Sequence, residues 1–345
     1  MAYINFKTSD YFANRKYSGT GSSQTISTGF QPDVSWSKAL SHAYSNRISN
    51  SASGFTKSLI TNATDAEATD ANVFSGTTSD GITVGSDAGT NVSGGTFINR
   101  SWKMGTTSGI SGGTITPSSY SISTVAKQGV YKYAGNGTAG ATVPHGLGAV
   151  PSLIIVKKLN ATSSWMVYHT SQGATKVGYL NDVVGFGNGT AVWNSVEPTT
   201  TLITLGTDGD VNASGSTYIM YVYCNVDGFF KAGTYVGNGN AASGTYVHLG
   251  FRPSFVFQHG ANMSSSGWYS EDSANEGYND ENHNVGINYG NTEDTETPIR
   301  FLAQGMQYGV DYAGGSYNLV SEPFVYAAWA EYPSVGSNGT VGVAR

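Results

Sequence analysis

The sequence predicts an all-β protein made of three tandem β-sandwich repeat domains of jelly-roll-like type. Two features of the composition favour this class. Gly accounts for 46 of 345 residues and charged residues for only 12%, and the long Ser, Thr, Asn and Gly stretches suit turns and strands better than helices. The third observation is that the same sequence blocks recur three times along the chain. Aromatic residues make up 12%, enough to build packed cores.

The repeated blocks define the organisation of the chain. An opening block Tyr-x-Gly-x-Gly occurs at 17–21, 133–137 and 235–239, and a block Gly-x-x-Pro follows at 29–32, 148–151 and 250–253. A closing block at 85–98 recurs at 206–219, and 314–317 with 324–326 form a looser third copy. The blocks predict repeat one at 1–105, a Ser/Thr/Gly-rich linker at 106–127, repeat two at 128–229, repeat three at 230–333 and a C-terminal tail at 334–345.

Short segments within each repeat have the character of strands. Residues 153–156 and 218–223 are β-branched or aromatic and are bounded by Gly, Pro and Asn. In 218–223 both alternating faces are apolar, which predicts a central strand of a two-layer sandwich. The Gly-Asn-Gly blocks predict tight hairpin turns, because glycine adopts positive φ at little steric cost. Helix is expected only in small pieces, for example near 65–68.

Charge and hydropathy exclude several classes of protein. The net charge is −6 with a pI near 5.4, and no basic cluster exceeds a dipeptide, so nucleic-acid binding is not expected. No apolar run approaches the roughly 18 residues of a membrane span, so membrane insertion is not expected. The first residues lack the layout of a secretory signal, which predicts synthesis in a cytoplasm. The only cysteine, Cys224, has no intramolecular partner.

Two short motifs match catalytic patterns in form only. Residues 135–140 match G-x-G-x-x-G, but a new strand rather than a helix is expected to follow, so we interpret them as a turn. Residues 109–113 match G-x-S-x-G but lie in the predicted linker. The six histidines show no metal-binding spacing. We therefore expect a non-enzymatic protein with no catalytic residue, no metal site and no cofactor.

Acidic segments leave two alternatives open. Residues 208–212 begin like a calcium loop, but Ala213 and Ile219 stand where an EF-hand needs Gly and Glu, so an Asx-type turn is the preferred interpretation over a bound cation. The acidic loop 271–281 is either solvated or a Ca²⁺ site. A polysaccharide depolymerase would need a carboxylate pair in a cleft, for which Asp272 and Glu281 are the available candidates.

Aromatic residues are the candidate recognition feature. Trp165, Tyr168 and His169 follow one repeated proline, and Trp268 and Tyr269 follow the next at similar spacing. Aromatic faces with neighbouring polar groups suit contact with a glycan or a partner protein. The alternative is that a Trp recurring at one repeat position packs inside the sandwich.

Several of these blocks together resemble a known repeat module. They are the start at 1–6 with 10–12, and the segments 29–33, 64–72, 145–151 and 250–253. The sequence is similar in these blocks to virion structural and tail-fibre-like proteins of marine tailed phages. The resemblance implies a virion protein and no catalytic residues.

The expected function is therefore that of a tail-associated fibre, knob or receptor-binding subunit. Alternatives are a capsid decoration or collar protein, or a glycan-binding adhesin. The implied partners are other virion proteins, further copies of this chain in a homo-oligomer, and a host surface glycan. The implied location is the virion.

Overall fold

The chain folds into antiparallel β-sheets with very little helix. The computed structural model describes residues 4–240, 242–275, 283–295, 299–308 and 317–332. Nearly all of the regular structure in these residues is strand, which confirms the all-β fold class. For description we divide the strands by sheet into unit one (12–102), unit two (119–223) and unit three (230–329). The number of tandem repeats stays a prediction from the sequence, and the predicted tail at 334–345 lies outside the described residues.

Unit one consists of a large and a small sheet. Its strands are β1 Phe12–Ser18, β2 Gln24–Ser27, β3 Val34–Ala39, β4 Arg47–Asn50, β5 Lys57–Ile60, β6 Ala68–Thr69, β7 Phe74–Thr77, β8 Gly81–Val84 and β9 Thr96–Trp102. The large sheet has the order β1-β9-β3-β4-β5-β6 and the small sheet β2-β8-β7. The chain thus crosses between two sheets, as a sandwich requires.

Unit two has a similar arrangement, with seven strands in the large sheet instead of six and two in the small sheet instead of three. Its strands are β10 Ser119–Ser123, β11 Gln128–Ala134, β12 Ala141–Pro144, β13 Leu153–Lys158, β14 Met166–His169, β15 Lys176–Tyr179, β16 Gly187–Asn188, β17 Leu202–Leu205 and β18 Thr217–Tyr223. The sheet orders are β10-β11-β18-β13-β14-β15-β16 and β12-β17. Strand β10 lies within the segment 106–127 that the sequence predicts as linker, so part of that segment belongs to the sheet of unit two.

Unit three repeats the order of the central strands. Its strands are β19 Phe230–Val236, β20 Tyr246–His248, β21 Phe255–Gly260, β22 Tyr269–Asp272, β23 Asn284–Gly286, β24 Ile299–Leu302, β25 Gly305–Tyr308 and β26 Pro323–Trp329. The large sheet has the order β19-β26-β21-β22-β23 and the small sheet β20-β25-β24. Residues 314–316 of the looser third closing block lie outside the described residues.

Helix is confined to single turns in the described residues. They are the 3₁₀ turn Thr8–Asp10 and the α-helices α1 Ala88–Asn91, α2 Thr190–Trp193 and α3 Gly209–Asn212. The helix expected near 65–68 is wrong, because Ala68 begins β6, which pairs with β5 at the sheet edge. An ion pair of 3.6 Å between Lys57 and Glu67 lies beside this pairing. Sheet contacts thus override the weak helix preference of this segment.

The Gly-x-Gly blocks form corners between sheets, so the hairpin prediction is wrong. In unit two, Gly137 has φ of +73°, and its N–H donates to the carbonyl of Asn212 at 2.7 Å. The N–H of Asn136 donates to the Asn212 side chain at 2.9 Å. A Cβ on Gly135 would lie 2.5 Å from a backbone oxygen, so no larger residue fits there. The corner takes the chain from β11 in the large sheet to β12 in the small sheet, whereas a hairpin would join neighbours in one sheet.

The same corner occurs in the other two units. Its asparagine is Asn91 in unit one and Asn318 in unit three, where each side chain accepts from the N–H of the middle residue of the Gly-x-Gly block. All three asparagines are fully buried. The repeated Gly-x-Gly block and the repeated asparagine therefore form the same structural motif, a corner between two sheets, in each unit.

Both faces of each large sheet are buried. In β18, Tyr218, Met220 and Val222 face the core between the two sheets of unit two. Ile219 and Tyr221 point the other way, into a core that contains residues of all three units. The central-strand prediction is confirmed, and the second apolar face packs against the neighbouring units.

Candidate functional site

The three large sheets meet in an aromatic cluster. Trp102, Tyr223 and Trp329 are the last residues of β9, β18 and β26, and their ring centroids lie 5.2 to 6.2 Å apart. Two of the three contacts are edge-on, which is a favourable aromatic geometry. The void that these rings help to enclose is only about 20 Å³ and apolar, so it is too small for an organic ligand.

A polar side chain at one position of each large sheet reaches into the next unit. Asn50, His169 and Asp272 are the last residues of β4, β14 and β22. They face Val34, Leu153 and Phe255 in register, so they occupy equivalent positions. The partners of these side chains follow a cycle from unit one to unit two, from unit two to unit three, and from unit three to unit one.

The three contacts in this cycle differ in chemistry, because the neighbouring unit offers a hydroxyl, a backbone carbonyl or a guanidinium. Asn50 Nδ2 donates to the hydroxyl of Tyr221 at 3.2 Å. His169 Nε2 contacts the backbone carbonyl of Tyr326 at 3.0 Å. The carboxylate of Asp272 accepts from Arg100 Nε at 2.8 Å and from its Nη2, which makes a buried bidentate ion pair.

A second cycle of contacts is made by the side chains that precede Asn50, His169 and Asp272 by four residues. These side chains contact the other neighbouring unit, so this cycle has the opposite direction. Asn46 Nδ2 donates to the carbonyl of Gly286 at 3.0 Å, and Trp165 Nε1 donates to that of Ile60 at 3.0 Å. Trp268 Nε1 donates to the carbonyl of Tyr179 at 2.9 Å. The three accepting residues are the last residues of β23, β5 and β15. The segments at β4, β14 and β22 therefore contact both neighbouring units.

Four of the five predicted recognition residues are enclosed in the protein. Trp165, His169 and Trp268 lie in the two cycles and are at most 1% exposed. Tyr168 lies in the core of unit two and donates to a Glu197 carboxylate oxygen at 2.6 Å. Their burial leaves no face for a glycan, so the packing alternative accounts for these four residues.

The fifth predicted recognition residue, Tyr269, is partly buried. Its ring packs against Tyr289 and Tyr317, with centroids 6.0 and 5.2 Å away. The other four predicted recognition residues make no common surface with it. The structure therefore does not assemble the five residues into one binding site.

Burial shifts the pKa of ionisable groups at the junction. Desolvation lowers the pKa of His169 to about 4 and that of His259 to about 4, which favours neutral imidazoles. Desolvation also lowers the pKa of Lys38 to about 8 and that of Lys157 to about 8. These lysines occupy equivalent positions in β3 and β13, opposite Ile98 and Ile219.

The two lysines again contact the neighbouring unit. Lys38 Nζ donates to the carbonyl of Asn291 at 2.6 Å, and Lys157 Nζ donates to that of Thr64 at 2.9 Å. These carbonyls belong to units three and one, which repeats the direction of the second cycle. The ammonium groups are thus engaged in fastening units together.

Glu271 is a buried carboxyl group beside the ion pair. Desolvation, with the neighbouring charge of Asp272, raises the pKa of Glu271 well above its usual value. Neither of its oxygens has a hydrogen-bond partner among the described residues. Burial therefore favours the neutral acid over the carboxylate at this position.

The remaining sequence candidates have structural roles. Asp208 caps α3 by accepting from the N–H of Asp210 at 2.8 Å, which confirms the Asx-type turn. Asp272 is paired with Arg100, and its candidate partner Glu281 lies outside the described residues, as does most of the acidic loop 271–281. Burial raises the pKa of the Cys224 thiol to about 12. Within the described ranges, no group of three His, Cys, Asp or Glu side chains could hold a metal ion.

Sequence reasoning did not identify the contacts that join the units, and it named His169 and Asp272 only for other roles. Asn50, Arg100 and Asp272 are separated by up to 222 positions, and their types differ from one unit to the next. The available signal was positional: Trp165 precedes His169 by four residues, just as Trp268 precedes Asp272. This shared spacing shows that the two pairs are equivalent. It indicates burial of these side chains only when the units are known to pack against one another.

The fold and the junction define a class of protein: an all-β chain whose three two-sheet units interlock around one aromatic core. The chain belongs to a family described as a domain of unknown function, DUF7483, whose sequence profile matches residues 7–333. No curated protein and no solved structure matches the chain. No helix in the part of the chain that the structure describes is long and apolar enough to cross a membrane.

Proposed function

We propose that this protein is a non-enzymatic structural component of a tailed-bacteriophage virion. Its place in the particle is the tail, as a fibre, knob or receptor-binding subunit. The proposal starts from the resemblance of the repeated blocks to virion and tail-fibre-like proteins. The single structural observation that supports it is the interlocked junction of the three units.

The junction suits a mechanical role because it removes the freedom of the units to move separately. Aromatic rings and buried polar groups from all three units are used to fasten the sheets to one another. Separating the units would expose the apolar side chains of the shared core to water and break a buried Arg–Asp pair and several hydrogen bonds, at a cost of several kcal/mol. A subunit that transmits or resists force on a particle needs such rigidity.

Assembly with other virion proteins and with further copies of the chain is part of the proposal. Virion components occur as symmetric assemblies, and closed symmetry is the common arrangement of homo-oligomers. Sedimentation of the purified protein at micromolar concentration tests this part. A mass well above 36.1 kDa is expected, and a purely monomeric mass would contradict it.

Immunogold labelling of purified particles tests the virion assignment. Antibody against the chain is expected to label the tail tip or fibres. Label on the head or neck would favour the alternative of a decoration or collar protein. Particles that carry no label, in a preparation where a known coat protein is labelled, would overturn the virion proposal.

A further inference from the structure

In unit two, residues 114–123 cover one open side of the sandwich, between the large and the small sheet. Ser118 N–H donates to the carbonyl of Lys132 on β11 at 2.8 Å, and β10 continues this pairing. Upstream, the N–H groups of Thr114 and Ile115 donate to the carbonyl of Thr142 on β12, at 3.0 and 2.9 Å. The segment therefore passes from the edge of the small sheet to the edge of the large sheet, and buries Ile115 between them.

In unit three, residues 225–226 cover only the first half of the equivalent edge, which is the outer edge of β19 at Phe230 and Ala232. Strand β19 pairs with β26 as β11 pairs with β18. Phe230 exchanges two backbone hydrogen bonds with Val226, at 2.9 and 3.1 Å. The side chain of Asn225 accepts from the N–H of Ala232 at 2.8 Å and donates to its carbonyl at 3.2 Å. These contacts protect the first residues of the edge.

Among the described residues the second half of this edge is only partly covered: the Val236 carbonyl accepts from Thr245 Oγ1 at 2.9 Å, whereas Thr234 is uncovered. Thr234, which is equivalent in register to Lys132, directs its backbone N–H and carbonyl away from β26. Neither group has a partner among the described residues. Across the gap, Tyr246 of β20 likewise turns its backbone groups away from β25, with no partner in the described ranges.

A cleft of about 520 Å³ separates these two edges. Tyr235, Tyr246 and Tyr326 contribute to its walls, and the Tyr246 side chain is 47% exposed. Lys231 Nζ donates to the carbonyl of His248 at 2.8 Å and so holds the two edges together at one end. The cleft thus combines backbone groups that are unpaired among the described residues with an aromatic wall.

We propose that this cleft binds an extended segment of a partner polypeptide as an added strand. The occupant is Ser/Thr-rich and carries a β-branched side chain, as the chain's own segment 114–123 does in unit two. Backbone pairing at Thr234 and Tyr246 supplies the contacts, and alternate side chains enter the cleft. The inference rests on the comparison of units two and three, and it does not depend on the virion assignment.

Binding of a synthetic peptide with the sequence of residues 112–123 to the full-length protein tests the proposal. The labelled peptide is expected to bind saturably, as measured by fluorescence anisotropy. Amide hydrogen exchange is expected to slow at Thr234 and Tyr246. No saturable binding up to millimolar peptide would overturn the proposal. So would slowing only in unit two, since the peptide would then replace the chain's own segment.

Thr234→Pro is the decisive variant, because proline removes the open N–H without removing a hydrogen bond to β26. It should weaken peptide binding about tenfold or more. Thr234→Ala is the matched control: it keeps the N–H and loses the hydroxyl bond of 2.7 Å to the Phe324 carbonyl. Its binding is expected to stay within about twofold of the parent. Equal binding by all three proteins would overturn the proposal.

Discussion

At the scale of single residues, the ion pair of Arg100 and Asp272 makes the most demanding contact of the junction. Both side chains are at most 3% exposed. Asp272→Asn keeps the volume but leaves the guanidinium buried without its counter-charge. We expect the free energy of unfolding to fall by about 3–5 kcal/mol. Urea denaturation at pH 7 measures the change.

A double variant separates the lost pair from a general disturbance of the site. Arg100→Met combined with Asp272→Asn removes the stranded charge, and should recover most of the loss. If the double variant were as unstable as Asp272→Asn alone, the unpaired guanidinium would not be the cause.

The buried imidazole of His169 makes stability depend on pH. Its pKa is about 4 in the folded protein, against about 6.5 when unfolded, so the unfolded chain binds more protons between these values. This contribution is therefore fully present above pH 6.5 and is lost progressively as the pH falls towards 4. At about 1.4 kcal/mol per pKa unit, the loss approaches about 3 kcal/mol.

Urea denaturation between pH 7 and pH 4.5 checks this expectation. His169→Gln should reduce the pH slope relative to the parent, since glutamine can donate to the Tyr326 carbonyl without titrating. Glu271 and His259, whose pKa values are also shifted by burial, are present in both proteins, so their contributions cancel in the comparison. Parallel pH profiles for the two proteins would contradict a buried neutral imidazole at this position.

At the scale of elements, the corner asparagines decide how the chain passes between sheets. Asn212 Nδ2 donates to the carbonyls of Gly206 and Thr138, at 2.8 and 3.0 Å, and its Oδ1 accepts from Asn136. Asn212→Ala leaves these buried groups unpaired. We expect a loss of about 2–3 kcal/mol in thermal or urea unfolding.

Asn136→Ala is the control for this corner. The Asn136 side chain is exposed and accepts only from the N–H of Thr138, at 2.9 Å. Its removal should cost at most about 0.5–1 kcal/mol. Similar losses for both variants would show that the corner is not the source of the stability.

Strands and caps could be predicted from the sequence because their signals are local. The β-branched and aromatic run 218–223, the Asx turn at Asp208 and the absence of long helices all follow from neighbouring residues. The sequence at 135–137 predicts a hairpin and not the observed corner, because glycine with positive φ suits both. The two differ only in which sheet the chain enters next. The linker prediction missed β10 for a similar reason: Ser-rich edge strands have weak strand propensity.

The junction could not be predicted because its contacts join distant positions of varied chemistry. Arg100 and Asp272 are 172 residues apart, and the equivalent contact in another unit is an Asn with a Tyr. The recurrence of Trp165 and Trp268 indicated a shared role, but gave no direction for their side chains. Packing between units, which local patterns do not encode, decides that these rings are enclosed.

At the scale of the whole molecule, the shared core makes the three units interdependent. Each large sheet buries one face against its own small sheet and the other against the other units. The buried polar contacts run around the junction in both directions, so that each unit is fixed by both neighbours. A chain of this length commonly divides into separately folding domains. In this protein the units share one hydrophobic core, so we do not expect them to fold as separate domains.

Calorimetric unfolding of the full-length protein tests this interlocking most directly. The account predicts a single transition in which the van't Hoff enthalpy equals the calorimetric enthalpy. The same midpoint is expected when tryptophan fluorescence and far-UV circular dichroism are followed. Two or three resolved transitions, with units that melt independently, would contradict the claim that the three units form one interlocked body.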